Sequence, residues 1–285
     1  MVETNLLKSL INISKSIHLD LTDSKYDSED KNRIQAVGAG LEIFIKDSFC
    51  GIPGTITEHE KKHREVFSWL GSKNNPPDVM LKLSDAIEIK KHEGLGSTEL
   101  ALNSSPPRSK LMHDDSKILS ACRNAEKLPW TKDYLYAVGN VLEKNLKKII
   151  FCYGDCFVAD AEVYQKPVDA ISSSLKKLKD DGMILNETNE LGKVARIDAL
   201  DNTGLRIRGM WGLKSPGKIF ENEIGANGNE ELLAVAIMRK EKFEGFPSEC
   251  RDILHKNSFS IVYFQSPDPG DIKNNVDLVM VRYSR

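Results

Sequence analysis

The stretch from residue 75 to residue 91 constrains the fold of this chain more than any other. It reads Asn-Pro-Pro-Asp-Val-Met-Leu-Lys-Leu-Ser-Asp-Ala-Ile-Glu-Ile-Lys-Lys, two extended runs with a tight turn at Ser84-Asp85 between them. Because side chains alternate between the faces of a strand, Glu88 and Lys90 point one way and the isoleucines beside them point the other. A hairpin that folds the first run back places Asp78 next to that pair. Two carboxylates and an ammonium group in one place can hold a hard divalent cation and orient a water for attack on phosphorus.

The composition is that of an ordinary globular protein. The 285 residues are 40% hydrophobic and 29% charged, and a chain of this length can form one large domain or two small ones. The chain has no apolar run of about 18 residues, and its first residues lack the basic-then-apolar pattern of a secretory signal. We therefore expect a soluble, cytoplasmic protein without a membrane segment.

Charge and cysteine content narrow the functional classes. A formal net charge of −2 excludes a broadly basic nucleic-acid coat, because nonspecific binding depends on neutralising phosphates, but it permits a local basic cleft. The five cysteines are odd in number and scattered along the chain. Buried free thiols are therefore expected rather than a disulfide framework.

Hydrophobic periodicity predicts an α/β chain built as one domain. Within it, residues 1–30 form an N-terminal helix and loop, residues 31–215 the core, and residues 216–285 the C-terminal strands. The predicted helices cover residues 4–17, 32–49, 57–70, 116–127, 132–144 and 161–179, with a short one near 247–255. The predicted strands cover 147–153, 193–198, 205–211, 232–238, 258–264 and 276–281.

The predicted helix over residues 32–49 has two features that bear on the site. The small residues at 38–40 lower helix propensity, which indicates that another backbone packs closely there. Glu42 and Lys46 have the i,i+4 spacing of a favourable ion pair, which is typical of a solvated helix edge. The alternative is that Glu42 is an additional acid near the metal site.

The segment His59-Glu60-Lys61-Lys62-His63 matches the HExxH motif. In that motif two histidines one helical turn apart bind zinc, and the glutamate activates a water for peptide hydrolysis. Both interior positions are lysines here, and further charged residues flank the motif. We therefore interpret the segment as a solvated helical turn, with a zinc metalloprotease built on His59 and His63 as the alternative.

Several side chains in three segments are suited to contact DNA. Arginine in particular matches phosphate oxygens and guanine edges. A linker and an ordinary amphipathic strand are the alternative interpretations of the first and the last segment. The candidates are Asn103, Ser104, Ser105, Arg108 and Lys110 in the hydroxyl-rich segment after the hairpin, Arg123 and Asn124 in the next predicted helix, and Arg206 and Arg208 on one face of the strand 205–211.

These motifs occur together in one known family. Pro77-Asp78, nine further residues and Glu88-Ile89-Lys90 form the PD-(D/E)XK pattern of the restriction-endonuclease-like nucleases. With the accompanying segments, residues 30–215 resemble the NgoPII-type type II restriction endonucleases. Those segments are Gly40-Leu41-Glu42, Leu102-Asn103-Ser104-Ser105, Ala121-Cys122-Arg123-Asn124, Tyr153-Gly154-Asp155-Cys156, Thr188-Asn189-Glu190-Leu191-Gly192 and Leu205-Arg206-Ile207-Arg208-Gly209-Met210-Trp211.

The resemblance implies a restriction-endonuclease-like core, with a central mixed β-sheet flanked by helices. It implies a Mg²⁺-dependent homodimer that cuts double-stranded DNA at a short palindromic site, GGCC in this group, while a partner DNA methyltransferase protects the same site. Asp78 and Glu88 match the metal-binding acids, Lys90 matches the motif lysine, and Glu42 matches an accessory helix acid. A structure-specific repair or recombination nuclease of the same fold remains the alternative, because such an enzyme would carry the same hairpin with its two acids and lysine.

Overall fold

The computed structural model describes the greater part of the chain. The described residues are 4–22, 33–51, 56–72, 74–103, 105–180, 182–186, 191–195, 203, 205–225 and 230–285.

Nine α-helices occur in these described residues, and none of them is long and apolar enough to cross a membrane. They are α1 (Leu6–Ser14), α2 (Arg33–Cys50), α3 (Ile56–Val66), α4 (Ser120–Arg123), α5 (Ala161–Asp180), α6 (Pro216–Ile219), α7 (Glu221–Ile224), α8 (Lys240–Glu244) and α9 (Ser248–Lys256).

Fourteen strands occur in the same described residues. They are β1 (Phe67–Trp69), β2 (Val79–Leu81), β3 (Ala86–Glu93), β4 (Glu99–Asn103), β5 (Lys110–Met112), β6 (Thr131–Leu142), β7 (Asn145–Tyr153), β8 (Ile184–Leu185), β9 (Gly192–Ala195), β10 (Leu205–Ile207), β11 (Met210–Lys214), β12 (Leu233–Arg239), β13 (Ser260–Pro267) and β14 (Asn275–Ser284).

Nine of the described strands form one large mixed sheet. Its order is β1-β2-β3-β6-β7-β12-β14-β13, and β5 pairs with the start of β6. The pairs β3·β6 and β7·β12 are parallel, and the other pairs are antiparallel. Two small sheets, β10-β9-β8 and β11-β4, are separate from it. The predicted α/β fold with a central mixed sheet is confirmed.

The large sheet separates two apolar clusters. The larger cluster joins α1, α2 and α9 to β3, β7, β12 and β14, and it includes Ile87 and Ile89. The smaller cluster contains Tyr134 and Tyr136 of β6 together with residues of β2, β4 and β5. Because neighbours on a strand face opposite sides, the even-numbered residues of β3 point toward the smaller cluster. The candidate site therefore lies on that face of the sheet.

The predicted helix over residues 132–144 is wrong, because this segment is the strand β6. β6 lies inside the sheet between β3 and β7, and its side chains are buried on both faces. Leu135 and Ala137 belong to the larger cluster, whereas Tyr134 and Tyr136 belong to the smaller one. A strand buried on both faces shows a continuous apolar run, which periodicity alone cannot distinguish from a buried helix.

Three other predicted boundaries also differ from the structure. The third helix ends at Val66 and is followed by β1, and of the predicted helix 116–127 only α4 is helical. In the predicted arginine hairpin, β9 and β10 do pair, with Arg206 opposite Lys193. After β10 the chain leaves that sheet, and β11 pairs with β4 instead.

The close approach predicted at the small residues of α2 is confirmed at Gly40. A β-carbon at Gly40 would collide with the backbone oxygen of Leu21, whereas Gly38 has open space around it. A second glycine, Gly139 of β6, leaves room for the side chain of Leu41 on α2. A β-carbon at Gly139 would lie 2.7 Å from Cδ1 of Leu41. Missing side chains on both elements therefore let α2 lie close against the sheet.

Candidate active site

The hairpin of β2 and β3 brings the three predicted catalytic residues together. Val79 lies opposite Ile87 in the antiparallel pair, so Asp78, just before β2, lies beside the middle of β3. The backbone N–H of Ile89 donates a 2.6 Å hydrogen bond to Oδ2 of Asp78. Glu88 and Lys90, the neighbours of Ile89, therefore lie next to that carboxylate, as the sequence predicts.

Both oxygens of Glu88 accept short hydrogen bonds. Lys90 Nζ donates to Oε1 at 2.6 Å, and the hydroxyl of Tyr134 donates to Oε2 at 2.6 Å. Tyr134 is 1% exposed and its ring packs edge-to-face on Tyr136, with centroids 5.2 Å apart. Tyr134 is thus a fixed donor that sets the orientation of Glu88. Sequence reasoning missed it, because the segment was assigned to a helix.

The backbone around Asp78 is held by the strand that precedes it. The indole Nε1 of Trp69 in β1 donates a 3.1 Å hydrogen bond to the carbonyl of Pro77. Gly71 has φ +93, and a β-carbon there would collide with the carbonyl oxygen of Asp78. Only glycine adopts this conformation readily at so close an approach. The edge strand therefore fixes the position from which Asp78 enters the site.

The charged groups of the site shift one another's pKa values in opposite directions. Burial, and then the charge of Glu88, raise the pKa of Asp78 to about 7, against the effects of Lys90 and the Ile89 N–H. Burial lowers the pKa of Lys90, but the charges of Glu88 and Asp78 outweigh it, so this pKa lies above its ordinary value. Two acids thus compete for one ammonium group, which leaves the site with an excess of negative charge.

Glu42 lies within electrostatic reach of this group. It is exposed on α2, which packs on β3, and its carboxylate raises the pKa of both Asp78 and Lys90. Its accessory role stays a prediction, since only its charge, not a contact, connects it to the other acids.

The site opens into a cleft of about 950 Å³. Asp78, Glu88 and Lys90 form part of its lining, together with Tyr134. Further lining comes from the loop before β2, from β4 and the segment after it, from β10 and the β10–β11 connection, and from Lys117 and Tyr136. The cleft therefore joins the hairpin to two of the three segments that the sequence predicts to bind DNA.

Four of the predicted DNA-binding residues line this cleft with exposed or half-buried side chains. Ser104, a further candidate, lies outside the described residues. Because each lining residue shares the cavity with the acids, DNA bound there could reach them all at once. The four are Asn103, Ser105, Arg206 and Arg208.

Arg108 also lines the cleft, but its guanidinium is committed to the protein. It is 6% exposed, and its Nε and Nη2 donate to the two carboxylate oxygens of Asp115 at 2.7 and 3.2 Å. Nη1 donates to Ser105 Oγ at 2.7 Å. Burial lowers the pKa of Arg108, but Tyr134 and Asp115 raise it well above its ordinary value. These contacts give Arg108 a role in shaping the wall, and direct DNA contact through it stays a prediction.

The other candidates lie outside the cleft lining. Arg123 donates to the carbonyls of His113 and Asp115 at 2.7 and 3.1 Å, and Asn124 is exposed at the end of α4. Lys110 is exposed and lies 3.7 Å from Asp133. Their DNA-binding roles therefore stay predictions that the cleft geometry does not favour.

The HExxH residues are arranged differently from the solvated turn that the sequence predicts. His59 and His63 are 6% and 8% exposed, and both contact Oδ1 of Asp47 in α2, at 2.7 and 2.8 Å. Glu60, which would be the catalytic base of a protease, is exposed and lies 3.7 Å from Arg64. The buried histidines therefore lack the glutamate that metalloprotease chemistry needs beside them.

A second buried network, which the sequence did not reveal, supports the hairpin turn. Asp85 is 1% exposed and accepts hydrogen bonds from the Tyr153 hydroxyl at 2.7 Å and from Lys242 Nζ at 2.8 Å. Lys242 also donates to Asp133 at 2.6 Å. Helix α8, which follows β12, is thereby connected to the start of β3.

The fold and the site together define a class of protein. An Asp-Glu-Lys set on a central sheet, at the floor of a cleft with arginines in its wall, is the arrangement of the restriction-endonuclease-like nucleases. The sequence model of the NgoPII restriction endonuclease family matches residues 4–265 of this chain. The type II restriction enzyme NgoPII of Neisseria gonorrhoeae is 40% identical over 277 residues, which are 95% of this chain and 97% of the relative. No solved structure matches.

The chain belongs to the NgoPII restriction endonuclease family. Its class of activity is therefore site-specific endonucleolytic cleavage of DNA. This assignment favours restriction over the repair nuclease and the metalloprotease that the sequence left open.

Proposed function

We propose that this chain is a type II restriction endonuclease that hydrolyses both strands of double-stranded DNA at a short palindromic site, with Mg²⁺ held by Asp78 and Glu88. The supporting observation is that these two acids and Lys90 converge at the floor of the cleft that also contains Arg206 and Arg208. Catalytic and recognition residues therefore face one cavity.

The donor set of the site fits Mg²⁺. This ion prefers carboxylate oxygens, uses one or two of them, and keeps several waters. Burial raises the pKa of Asp78 and the charge of Glu88 raises it further, and a divalent cation would offset the repulsion between the two acids. When bound, Mg²⁺ supplies positive charge to the scissile phosphate and makes a water more acidic.

The protein side chains perform the remaining tasks. Tyr134 and the Ile89 N–H fix the orientations of Glu88 and Asp78, so neither acid has to reorganise when substrate binds. Because its pKa is raised, Lys90 stays protonated at neutral pH and acts through charge and N–H donation rather than as a base. It orients the attacking water and stabilises the negative charge that develops on the phosphate. Glu42 is the accessory acid on the helix side.

The remaining proposals concern the biological setting. A palindromic target requires two-fold symmetry, so we propose a homodimer in which each subunit cuts one strand. GGCC is the candidate target, and a DNA methyltransferase that modifies the same sequence would be the genetic partner. We propose that the enzyme acts in the cytoplasm, where it would cut incoming DNA beside protected host DNA.

The direct test is digestion of plasmid and phage DNA with Mg²⁺, followed by sequencing of the fragment ends. We expect discrete fragments that share one short palindrome. A plasmid without GGCC, and one methylated within GGCC, test the candidate target separately from the activity. A smear, or cuts that follow DNA structure rather than sequence, would contradict restriction.

Three variants assign the activity to the proposed site. Asp78→Asn, Glu88→Gln and Lys90→Ala should each lower the cleavage rate by at least about 100-fold, because each removes charge that acts on the phosphate or its metal. Lys91→Ala is the matched control. Lys91 lies on the same strand but pairs with Glu93 at 2.8 Å, and it is not part of the cleft. Normal cleavage by folded Glu88→Gln protein would refute the assignment.

A further inference from the structure

The cluster of Asp47, His59 and His63 is the most unusual polar group outside the cleft. Its three donor atoms lie within 4.8 Å of one another, and all three residues are more than nine-tenths buried. The two imidazoles project from successive turns of α3 toward one carboxylate on α2. This placement concentrates metal-ligating atoms at the packing surface of two helices.

We propose that Asp47, His59 and His63 form a structural Zn²⁺ site that joins α2 to α3 and is separate from the Mg²⁺ site. Imidazole nitrogen and carboxylate oxygen are ordinary zinc ligands, whereas Mg²⁺ prefers oxygen donors alone. The i,i+4 spacing of the histidines is the spacing with which one helix supplies two imidazoles to zinc.

The distances are close to those of a zinc site. His59 Nδ1 and His63 Nε2 lie 2.7 and 2.8 Å from Asp47 Oδ1. Ligand atoms about 2.0 Å from a tetrahedral ion are separated by roughly 3.3 Å, so the donors need to part by roughly half an ångström. The two imidazole nitrogens lie within 4.8 Å of each other, so every pair of donor atoms is within roughly 1.5 Å of the spacing that a tetrahedral ion requires.

The second oxygen of Asp47 supplies an independent reason for a ligand. Asp47 is 6% exposed, and within the described residues its Oδ2 is buried and has no hydrogen-bond partner. A buried carboxylate oxygen without a partner is costly. A network of hydrogen bonds from the two histidines satisfies only Oδ1, whereas an ion can be shared by both oxygens or bound through Oδ2.

The fourth position of the site would be filled by a water. Cys50 lies one helical turn after Asp47 on α2, but its sulfur is not among the donor atoms that lie within 4.8 Å of one another. Burial, together with the charge of Asp47, raises the pKa of the Cys50 thiol, which disfavours the thiolate that zinc binds.

The role of this ion would be structural. Glu60, the acid inside the motif, is exposed and lies 3.7 Å from Arg64, so it does not face the buried cluster as a catalytic base would. α3 continues directly into β1, which carries Trp69 and thereby braces the carbonyl of Pro77 beside Asp78. Zinc between α2 and α3 would stabilise the support of the hairpin without taking part in DNA cleavage.

The test uses the full-length protein, stripped of metal with a chelator and dialysed against Zn²⁺ or Co²⁺. We expect one Zn²⁺ per chain, a rise in thermal stability on zinc addition, and the visible absorption of four-coordinate Co²⁺. Six-coordinate Co²⁺, or no zinc bound at a stoichiometric concentration, would overturn the proposal. The Co²⁺ spectrum is measured on the wild-type chain and so does not depend on how a variant folds.

Two isosteric variants separate a metal site from a hydrogen-bond network. The amide nitrogen of asparagine occupies the place of imidazole Nδ1, and that of glutamine the place of Nε2, so His59→Asn and His63→Gln keep a donor to Asp47 but lose the zinc ligand. We expect zinc affinity to fall by at least about 100-fold in each, since even changes behind the ligands cost 10 to 100-fold. Undiminished zinc binding by either variant would overturn the site.

A variant of the catalytic site provides the control for location. Glu88→Gln should bind Zn²⁺ as the wild type does, because Glu88 is not among the three donors. Loss of zinc binding in Glu88→Gln would place the ion in the cleft and would also overturn the proposal. Neither result depends on whether the enzyme cuts DNA.

Discussion

Asp78 is held in a state that destabilises the folded protein at neutral pH. Its pKa is about 7 in the folded chain, against an ordinary value of 3.8, so the folded state binds more protons than the unfolded state between these values. The free energy of unfolding therefore falls as the pH rises through this window. The carboxylate that the reaction needs is thus one that the fold alone disfavours.

Replacing this acid should therefore stabilise the protein without metal. We expect Asp78→Asn to raise the free energy of unfolding at pH 8 by about 1–3 kcal/mol in EDTA, and to raise it less at pH 5, because at pH 5 only the lower part of the window between the two pKa values has destabilised the wild type. Urea denaturation at the two pH values measures the difference. Mg²⁺ should stabilise the wild type but not the variant.

A second variant tests whether the stabilisation is specific to Asp78 or follows from removing any acid nearby. Glu93→Gln removes an acid from the same strand, but its side chain is 65% exposed, so its effect should be small at both pH values. A less stable Asp78→Asn protein at pH 8 would show that the carboxylate is stabilised, not strained, by its surroundings.

Tyr134 is predicted to position Glu88 rather than to react. Tyr134→Phe removes the 2.6 Å hydrogen bond to Oε2 while the ring stays packed on Tyr136. Glu88 then gains freedom to rotate, so the Mg²⁺ concentration at half-maximal cleavage should rise by about 10-fold, as expected for a residue behind a metal ligand. Cleavage rates across a Mg²⁺ titration measure this change.

The neighbouring tyrosine offers a matched control. The hydroxyl of Tyr136 accepts a 2.8 Å hydrogen bond from the Arg108 N–H and does not contact Glu88. Tyr136→Phe should therefore leave the Mg²⁺ dependence unchanged. Equal shifts in both variants would mean that Tyr134 acts through general packing of the cleft wall.

At the scale of elements, the β2–β3 hairpin was predictable because all its information is local. Alternation on one strand places Glu88 and Lys90 on the same face, and the short turn returns Asp78 to them. The sequence could not predict the partner strand β6, whose register sets Tyr136 opposite Glu88 and Tyr134 opposite Ala86. Contacts between strands distant in sequence determine that neighbour.

The same limit explains the side chains whose roles differed from expectation. Arg108 has the chemistry of a DNA contact, but its ion pair with Asp115 buries it in the wall. The charged residues around His59 and His63 indicate a solvated turn, but Asp47, on another helix, gives both imidazoles a buried partner. In each case the burial of the side chain depends on a carboxylate that lies outside the local sequence motif.

The β10–β11 connection is the element predicted to carry specificity. Arg206 lies at the middle of β10 and Arg208 in the connection, and both reach the cleft. A guanidinium paired with guanine contributes about 1–3 kcal/mol of discrimination per base pair. We expect Arg206→Ala and Arg208→Ala each to lower the affinity for cognate DNA by roughly 5-fold to 150-fold, and to lower the affinity for nonspecific DNA far less. Binding titrations with both DNAs at one salt concentration measure the two affinities.

Lys214→Ala controls for the loss of one positive charge. Lys214 is exposed on β11 and does not line the cleft. Its removal should therefore lower the affinities for cognate and nonspecific DNA slightly and equally. If an arginine variant shows the same equal loss, that arginine contacts phosphate and positions the DNA rather than reading its sequence.

At the scale of the whole molecule, the three parts of the chain predicted from sequence share one core. The larger apolar cluster contains Leu6 and Leu10 from the N-terminal helix and Val235 and Val281 from the C-terminal strands. β12 lies between β7 and β14 in the main sheet, so residues 216–285 supply interior strands rather than an appendage. We therefore expect the chain to unfold as one domain.

A truncated chain tests this expectation. Protein ending at residue 215 loses β12, which exposes the whole parallel edge of β7 and one wall of the larger cluster. It should fail to give a cooperative transition and should expose apolar surface to a dye such as ANS.

In the full chain, fluorescence follows Trp69, Trp130 and Trp211, which all precede residue 215, whereas calorimetry follows every residue. Coincident midpoints indicate one domain; a separate calorimetric transition, or a folded 1–215 fragment, would instead make residues 216–285 an independent unit.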